Sequence, residues 1–251
     1  MSKSSEPITT VELADPRWRE LYLIGGVCGV LMSALTIFAI VIYFIWPYKP
    51  GLTSAQDIFT TLQSDPWNGL MSLDFFMIVI TVLTIPFFLA LYLALHKVNE
   101  SLALLALVFG MFSCLIILPA RPIAEMFDLS ARYAAATTDA TRSQYLAAGE
   151  ALSTLFNGTA WMLYFITFSV DLMISSILML RARAFSRATA YLGILLNVGL
   201  LSLLAVIPNF ALIATMINLA TTIIGTVWNV LVARTLFQFG SVRSDPRPSP
   251  I

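Results

Sequence analysis

The stretch SLALLALVFGMFSCLIILPARPIAEMFDLSARYAAA, residues 101–136, decides the class of fold. Its first twenty residues carry no charge, and about 20 apolar residues let an α-helix cross the hydrocarbon core of a membrane. The charged residues that follow are Arg121, Glu125, Asp128 and Arg132. Positions separated by 4, 7 and 11 share one helix face. We therefore predict that this helix runs on past the membrane surface, with one charged face, to about Ala136.

The composition of the whole chain supports a membrane protein. Hydrophobic residues make up 59% of the 251 residues and charged residues only 11%, and the mean hydropathy is +0.86. Soluble domains are typically about one quarter charged. Acidic and basic residues balance at 14 each, and no basic cluster marks a nucleic-acid surface.

Six apolar segments are long enough to span a bilayer. They cover residues 21–46, 71–96, 101–120, 157–180, 188–207 and 211–237. The predicted fold is all-α: a polytopic integral membrane bundle of six transmembrane helices, with an external helical hairpin between helices 3 and 4. Residues 21–240 form this domain, between a flexible cytoplasmic leader (1–20) and a disordered cytoplasmic tail (241–251). A further amphipathic helix, SAQDIFTTLQS, is expected within residues 47–70, with Ile58, Phe59 and Leu62 on one side.

Basic residues in the connections predict the orientation. With the N-terminus inside, cytoplasmic segments carry ten Lys and Arg residues and the opposite side carries four. An excess of Lys and Arg marks cytoplasmic loops. Both termini are therefore expected in the cytoplasm, in a multi-pass protein of the cell (plasma or inner) membrane.

The hairpin is the first candidate site. Its second helix is expected from about residue 142, after a break at TTDAT that Thr138 or Asp139 caps. Arg121–Glu125 and Asp128–Arg132 are expected to form ion pairs four residues apart. Two interpretations remain open: a solvated charged face over an apolar one, or an external vestibule. The vestibule candidates are Asp74, Arg121, Glu125 and Glu150.

Asp171 is the strongest candidate for a functional polar residue because it lies in the middle of an apolar span. An ionised carboxylate there costs at least about 2.5 kcal/mol, so it is expected to face the bundle interior with a partner or to be protonated. No other span carries Lys or Arg at mid-depth. Its partners are therefore neutral groups, water or a bound cation, and both a structural and a functional role remain open.

Polar residues at helical spacing in the last two spans suggest such partners. They are Thr189, Gly193 and Asn197 in the fifth span and Thr215, Asn218, Thr222, Gly225 and Asn229 in the sixth. Facing one another, these residues would form an interhelical hydrogen-bond network. The ligand- or ion-binding candidates are Asp171, Asn197, Asn218, Asn229 and Tyr164.

A small-residue ridge on the first span consists of Gly25, Gly29 and Ser33. Such a ridge lets another helix approach closely. It serves an internal contact or a homodimer equally well.

Catalytic chemistry finds little support in the sequence. His96 is the single histidine, no phosphate-binding glycine loop is present, and Cys28 and Cys114 have no metal-ligand companions. We expect no enzymatic activity, no cofactor and no bound metal.

Three stretches carry a resemblance to a known family: LYLALHKVNESLALLALVFG, ARPIAEMFDLSARYAAATTDATRSQYLAAGEAL and LRARAFSRATAYLGI. Together they resemble a bacterial family of multi-pass membrane proteins catalogued as a domain of unknown function. The resemblance covers roughly residues 15–240. It implies membrane topology and provides no catalytic residues.

Two functional hypotheses follow. The first is a non-enzymatic membrane module that binds a small ligand or a membrane-protein partner, in contact with membrane lipid. The second is a small proton- or cation-coupled transporter that uses Asp171. A single buried carboxylate and the lack of an internal repeat favour the first.

Overall fold

The computed structural model describes residues 14–45, 53–206 and 211–242, and its regular elements there are all helical. Ten α-helices lie in these ranges: α1 (Arg19–Ile45), α2 (Ala55–Ser64), α3 (Pro66–Ser72), α4 (Phe75–Leu95), α5 (Glu100–Ile117), α6 (Ile123–Ala135), α7 (Asp139–Ser153), α8 (Thr159–Arg181), α9 (Arg187–Val206) and α10 (Ala211–Ser241). Most of the predicted leader and tail, and the link between the last two predicted spans, lie outside the described residues.

Five helical segments of the described chain are long and apolar enough to cross a membrane, so the protein is a membrane protein. They are Pro16–Ile42, Phe75–Leu95, Glu100–Ala135, Thr159–Arg181 and Thr215–Ser241. The remaining predicted span corresponds to α9, whose apolar stretch Arg187–Ser202 is shorter than the other five.

The chain folds into two compact units. The first unit comprises Met1–Ala34, Leu83–Met111 and Phe168–Ile251. The second unit comprises Leu35–Val82 and Phe112–Thr167.

Within the second unit, α2, α3, α6 and α7 pack together as a helical layer, defined here as residues 53–74 and 121–158. Its apolar core consists of Ile58, Phe59, Leu62, Leu73, Met126 and Phe156. The close approach of α7 to α2 requires Gly149, because a Cβ there would lie 2.6 Å from Cζ of Phe59. The predicted amphipathic helix at residues 55–64 is confirmed, with its apolar side buried in this core.

Local sequence explains where the helices of the layer begin. The Ser54 hydroxyl accepts from the Asp57 N–H at 3.2 Å, and the Thr138 hydroxyl accepts from the Thr141 N–H at 3.2 Å. Asp65 caps α3, whose first residue is Pro66. These are the residue types that satisfy the free N–H groups of a helix start.

The helix predicted to run unbroken from the third span to Ala136 is interrupted. A 3₁₀ turn, Leu118–Ala120, ends α5, and α6 begins only at Ile123. Pro119 and Pro122 supply no N–H for a helical hydrogen bond, which accounts for the break. The end of α6 at Ala135 agrees with the predicted end near Ala136.

In the first unit, the small-residue ridge of α1 packs inside the chain. A Cβ on Gly29 would lie 2.8 Å from the Phe87 ring and 3.0 Å from Ala233, and Gly25 meets Ala90 in the same way. Ser33 is 4% exposed and donates to the Gly29 carbonyl at 2.8 Å. The ridge was predicted to form either an internal helix contact or a homodimer contact, and the structure contains the internal contact. A homodimer that used the same ridge would have to break this packing.

Candidate functional sites

Arg121 is the central residue of the helical layer. It lies between the 3₁₀ turn and α6, and its side chain is 3% exposed. Its Nε donates to Oδ2 of Asp74 at 2.8 Å, and its Nη1 donates to the carbonyls of Ala120 and Phe156 at 3.3 Å each. A buried guanidinium needs such partners because an unpaired buried charge is costly.

Two aromatic rings complete the enclosure of Arg121. Its guanidinium carbon lies 4.9 Å from the ring centroids of both Phe156 and Trp161. A cation over an aromatic face within about 6 Å is attracted by the ring. Arg121 therefore connects the start of α4, the end of α5, the end of α7 and the start of α8.

Asp74 holds an unusual backbone conformation for this contact. Its φ angle is 60°, in the left-handed region, which Asp tolerates better than most residues. Its carbonyl accepts from the Met77 N–H at 3.0 Å, at the beginning of α4. Burial raises the pKa of the Asp74 carboxyl above its ordinary value, and the Arg121 guanidinium acts in the opposite direction.

The predicted ion pair between Arg121 and Glu125 is not formed. Arg121 precedes α6, with φ −115° and ψ 77°, so it does not share a helix face with Glu125, which is exposed. The predicted pair Asp128–Arg132 is present at 2.8 Å, with both side chains more than half exposed. Sequence spacing thus predicts the Asp128–Arg132 pair, which lies within one helix. It does not identify Asp74 as the ion-pair partner of Arg121, which lies outside the helix.

The four vestibule candidates take different roles. Arg121 and Asp74 come together in a largely enclosed pair. Oε1 of Glu150 accepts from the Ala55 N–H at 2.8 Å and so caps the start of α2. Glu125 remains on the surface.

The surface of the helical layer is acidic. Residues 53–74 and 121–158 contain seven acidic side chains against three basic ones, a formal charge of −4. The acids are Asp57, Asp65, Asp74, Glu125, Asp128, Asp139 and Glu150; the bases are Arg121, Arg132 and Arg142. Because Arg121 and Asp74 neutralise each other internally, the excess negative charge lies on the other residues.

Asp171 forms the second candidate site, in α8 within the first unit. It is 4% exposed, and its Oδ1 accepts from the Ser175 hydroxyl at 3.1 Å. Its Oδ2 lies 3.1 Å from the position that a Cβ would take on Gly110 of α5. The cavity beside it, between α4, α5 and α8, has a volume of about 10 Å³. That is room for about one water molecule.

The asparagine candidates do not gather around Asp171. Asn197 is 1% exposed, and its Nδ2 donates to the Ser169 carbonyl. Asn218 is exposed and Asn229 is half-buried, whereas Thr221 and Trp228 are the buried polar residues of this part of α10. The predicted hydrogen-bond network between α9 and the face of α10 that carries Asn218 is therefore wrong. A different face of α10, with Thr221 and Trp228, is buried.

Tyr164, the remaining candidate, lies in the second unit. Its ring stacks on Trp161 at 5.7 Å and contacts Phe165 at 5.5 Å. Within the first unit, the structure thus joins Asp171 with Ser175 and joins Asn197 with Ser169.

A set of buried polar atoms lies between α8, α9 and α10, and of its residues only Asn197 was predicted from the sequence. Four atoms are buried without a hydrogen-bond partner among the described residues: Ser169 Oγ, Ser176 Oγ, Asn197 Oδ1 and Trp228 Nε1. A Cβ on Gly193 would overlap Ser176 Oγ and lie 2.8 Å from Trp228 Nε1. The spacing of Ser169 and Ser176, two helical turns apart, is the signal that could have placed them on one face.

These features define a multi-pass helical membrane protein with buried polar groups in its helices and a folded helical layer. The chain belongs to the family described as a domain of unknown function (DUF4386), whose family model matches residues 21–234. No curated protein and no solved structure matches the chain. Within the described ranges, no three His, Cys, Asp or Glu residues come together as metal ligands.

Proposed function

We propose that this protein is a non-enzymatic membrane module whose helical layer lies outside the bilayer and binds a positively charged polypeptide segment. The observation that carries the proposal is the charge of −4 on a layer with its own apolar core. Complementary charge steers a partner to such a surface and selects against wrong partners.

The way in which the layer is fixed supports a binding role. Arg121 connects four segments through hydrogen bonds, an ion pair and two aromatic faces. Glu150 holds the start of α2 against α7. A surface held in one conformation loses less entropy when a partner binds.

The proposed topology has six spans, with α9 as the fifth, and both termini in the cytoplasm of a bacterial cell, in the inner membrane. One end of the first unit is basic among the described residues, with seven basic side chains against three acidic ones. The bases are Arg17, Arg19, Lys97, Arg181, Arg183, Arg187 and Arg234; the acids are Asp15, Glu20 and Glu100. By the positive-inside rule this end faces the cytoplasm, so by chain order the layer falls on the other side.

Asp171 has a secondary place in the proposal. A cavity of about 10 Å³ suits a water molecule or a proton at the carboxyl. It offers no room for a larger solute, so transport through this site is the weaker alternative.

Site-specific photo-crosslinking in native membranes tests the proposed function. A photoreactive residue replaces Ala131, which is exposed on α6 beside Asp128 and Arg132. The expected product is a defined adduct whose crosslinked peptide, sequenced by mass spectrometry, is rich in Lys and Arg. The same residue at Leu105, exposed on the apolar helix α5, is the matched control and should give no such peptide.

Charge neutralisation makes the test specific. Glu125→Gln with Asp128→Asn should lower the yield of the adduct about fivefold, because each exposed pair contributes about 0.5 kcal/mol. Arg142→Gln should leave the yield unchanged or raise it. An adduct that survives neutralisation and high salt, or a crosslinked peptide without basic residues, would refute the proposal.

A further inference from the structure

A groove of about 460 Å³ opens between α1 and α10 in the first unit. It is an open groove on the surface of the helices rather than a buried cavity. The residues that line it are Val30, Val230, Arg234, Phe237, Gln238 and Ser241.

One part of the groove is apolar. Val30 and Val230 are 46% and 45% exposed, and Phe237 forms a wall. Gly26 lets the Phe237 ring lie against α1, since a Cβ there would be 2.8 Å from Cε1 of that ring. This part of the groove therefore runs along two membrane helices, and its apolar walls suit a hydrocarbon chain.

The other part of the groove is polar and positively charged. Arg234, Gln238 and Ser241 are spaced by four and three residues, which places them on one face of α10. Arg234 is exposed, and no carboxylate of the described chain forms an ion pair with it. Its charge is therefore available to a ligand.

The position of Arg234 along α10 places it at the membrane surface. Residues 211–233 contain no charged side chain, and Arg234 is the first. About 20 residues cross the hydrocarbon core, so the guanidinium falls at the depth of the lipid phosphates. Arg19 adds a second positive charge to this end, since its Nε donates to the Gly240 carbonyl at 2.9 Å.

We propose that this groove is a binding site for an anionic glycerophospholipid. One acyl chain lies along Val30, Val230 and Phe237, and the phosphate binds the Arg234 guanidinium. The Gln238 side-chain amide donates a hydrogen bond to the headgroup, whereas the Ser241 hydroxyl already donates to the Gln238 carbonyl at 2.8 Å. Arginine suits this role because its planar fork matches phosphate oxygens in two parallel hydrogen bonds.

Native mass spectrometry of the purified full chain in detergent tests the site. Phosphatidylglycerol and phosphatidylcholine with identical acyl chains are added at equal concentration, and inorganic phosphate is added in a separate arm. The phosphatidylglycerol adduct should exceed the phosphatidylcholine adduct about fivefold, the effect of one basic side chain on an anionic lipid. Arg234→Gln should abolish this preference, and Arg234→Lys should keep part of it.

Two further variants separate the groove from general charge. Arg183→Gln removes an exposed arginine outside the groove and should leave the preference unchanged. Val230→Trp fills the apolar part without changing charge and should reduce adducts of both lipids. Equal binding of the two lipids by the unmodified protein would overturn the proposal. So would an Arg234→Gln protein with unchanged preference, or a site that takes inorganic phosphate but no phosphatidylglycerol.

Discussion

Arg121 and Asp74 lie 47 residues apart in the sequence and form an ion pair of 2.8 Å in the helical layer. The two ends of the pair differ in exposure: the arginine side chain is 3% exposed and the aspartate 26%. The arginine therefore depends on the pair more than the aspartate does, because water can still reach the carboxylate.

This asymmetry leads to the first prediction. Asp74→Asn leaves a buried guanidinium without its counter-charge and should lower the free energy of unfolding by about 3 kcal/mol. Arg121→Met should cost less, and the double variant should cost less than the sum of the two. Unfolding in denaturing detergent measures all three. Asp128→Asn, in the exposed pair, is the control and should change little; equal losses in all variants would contradict the prediction.

Glu150 provides the second prediction, since it caps the start of α2 from across the layer. Glu150→Ala removes the acceptor of the Ala55 N–H and should cost about 1 kcal/mol. Glu150→Gln keeps an oxygen acceptor and should cost less. Glu125→Ala, on the exposed surface of α6, should stay within about 0.5 kcal/mol. The assigned cap is wrong if the Glu125 and Glu150 variants lose the same stability.

The third prediction concerns Asp171. Asp171→Asn retains an oxygen that accepts from the Ser175 hydroxyl and cannot ionise. We expect normal expression and a thermal midpoint in detergent close to that of the unmodified protein, because the amide is no harder to bury than the carboxylate. Asp171→Leu should be less stable, since leucine offers no oxygen to accept from the buried Ser175 hydroxyl. A large loss in Asp171→Asn would reveal a bound cation or a cationic partner.

The fourth prediction uses the crowded contact of α8, α9 and α10. Gly193→Ala places a methyl group against Ser176 Oγ and Trp228 Nε1 and should cost about 1–3 kcal/mol. Ser176→Ala removes a buried hydroxyl without a partner among the described residues, so stability should stay equal or rise. The double variant should recover part of the Gly193→Ala loss, as thermal unfolding in detergent can show. A strongly destabilised Ser176→Ala protein would mean that the hydroxyl binds water.

The fifth prediction concerns pH. Hydrogen bonds from the Arg17 side chain and N–H lower the pKa of Asp15 from 3.8 to about 2. A depressed pKa in the folded state stabilises the turn Pro16–Trp18 above about pH 4, and this stabilisation is lost as the pH falls towards 2. Carboxyl NMR titration should report the low pKa. Arg17→Gln should return it towards 3.8, and an unchanged value in that variant would exclude Arg17 as the cause.

Local sequence patterns predicted much of the fold. Five of the six predicted spans follow from apolar length, and the buried side of α2, the end of α6 and the Asp128–Arg132 pair follow from spacing within one helix. Such spacing acts over three to eleven residues, a range in which helical geometry dictates neighbours.

The candidate sites were only partly predictable. The sequence placed Arg121 and Asp74 in one candidate vestibule but paired Arg121 with Glu125, whereas Asp74 forms the ion pair from 47 residues away. The spacing of polar residues in α10 pointed to Asn218, and the structure buries Thr221 and Trp228 instead. Both errors concern contacts between helices.

The sequence by itself determined that this is a helical membrane protein, because enough apolar length must be present wherever a helix crosses a bilayer. Only the tertiary structure decided which side of each span faces another helix. Lipid is as apolar as a protein interior, so the outward face of a span carries no polar pattern that distinguishes it from the inward face. In the helical layer, where water surrounds one side under our proposed topology, the apolar face of α2 could be predicted.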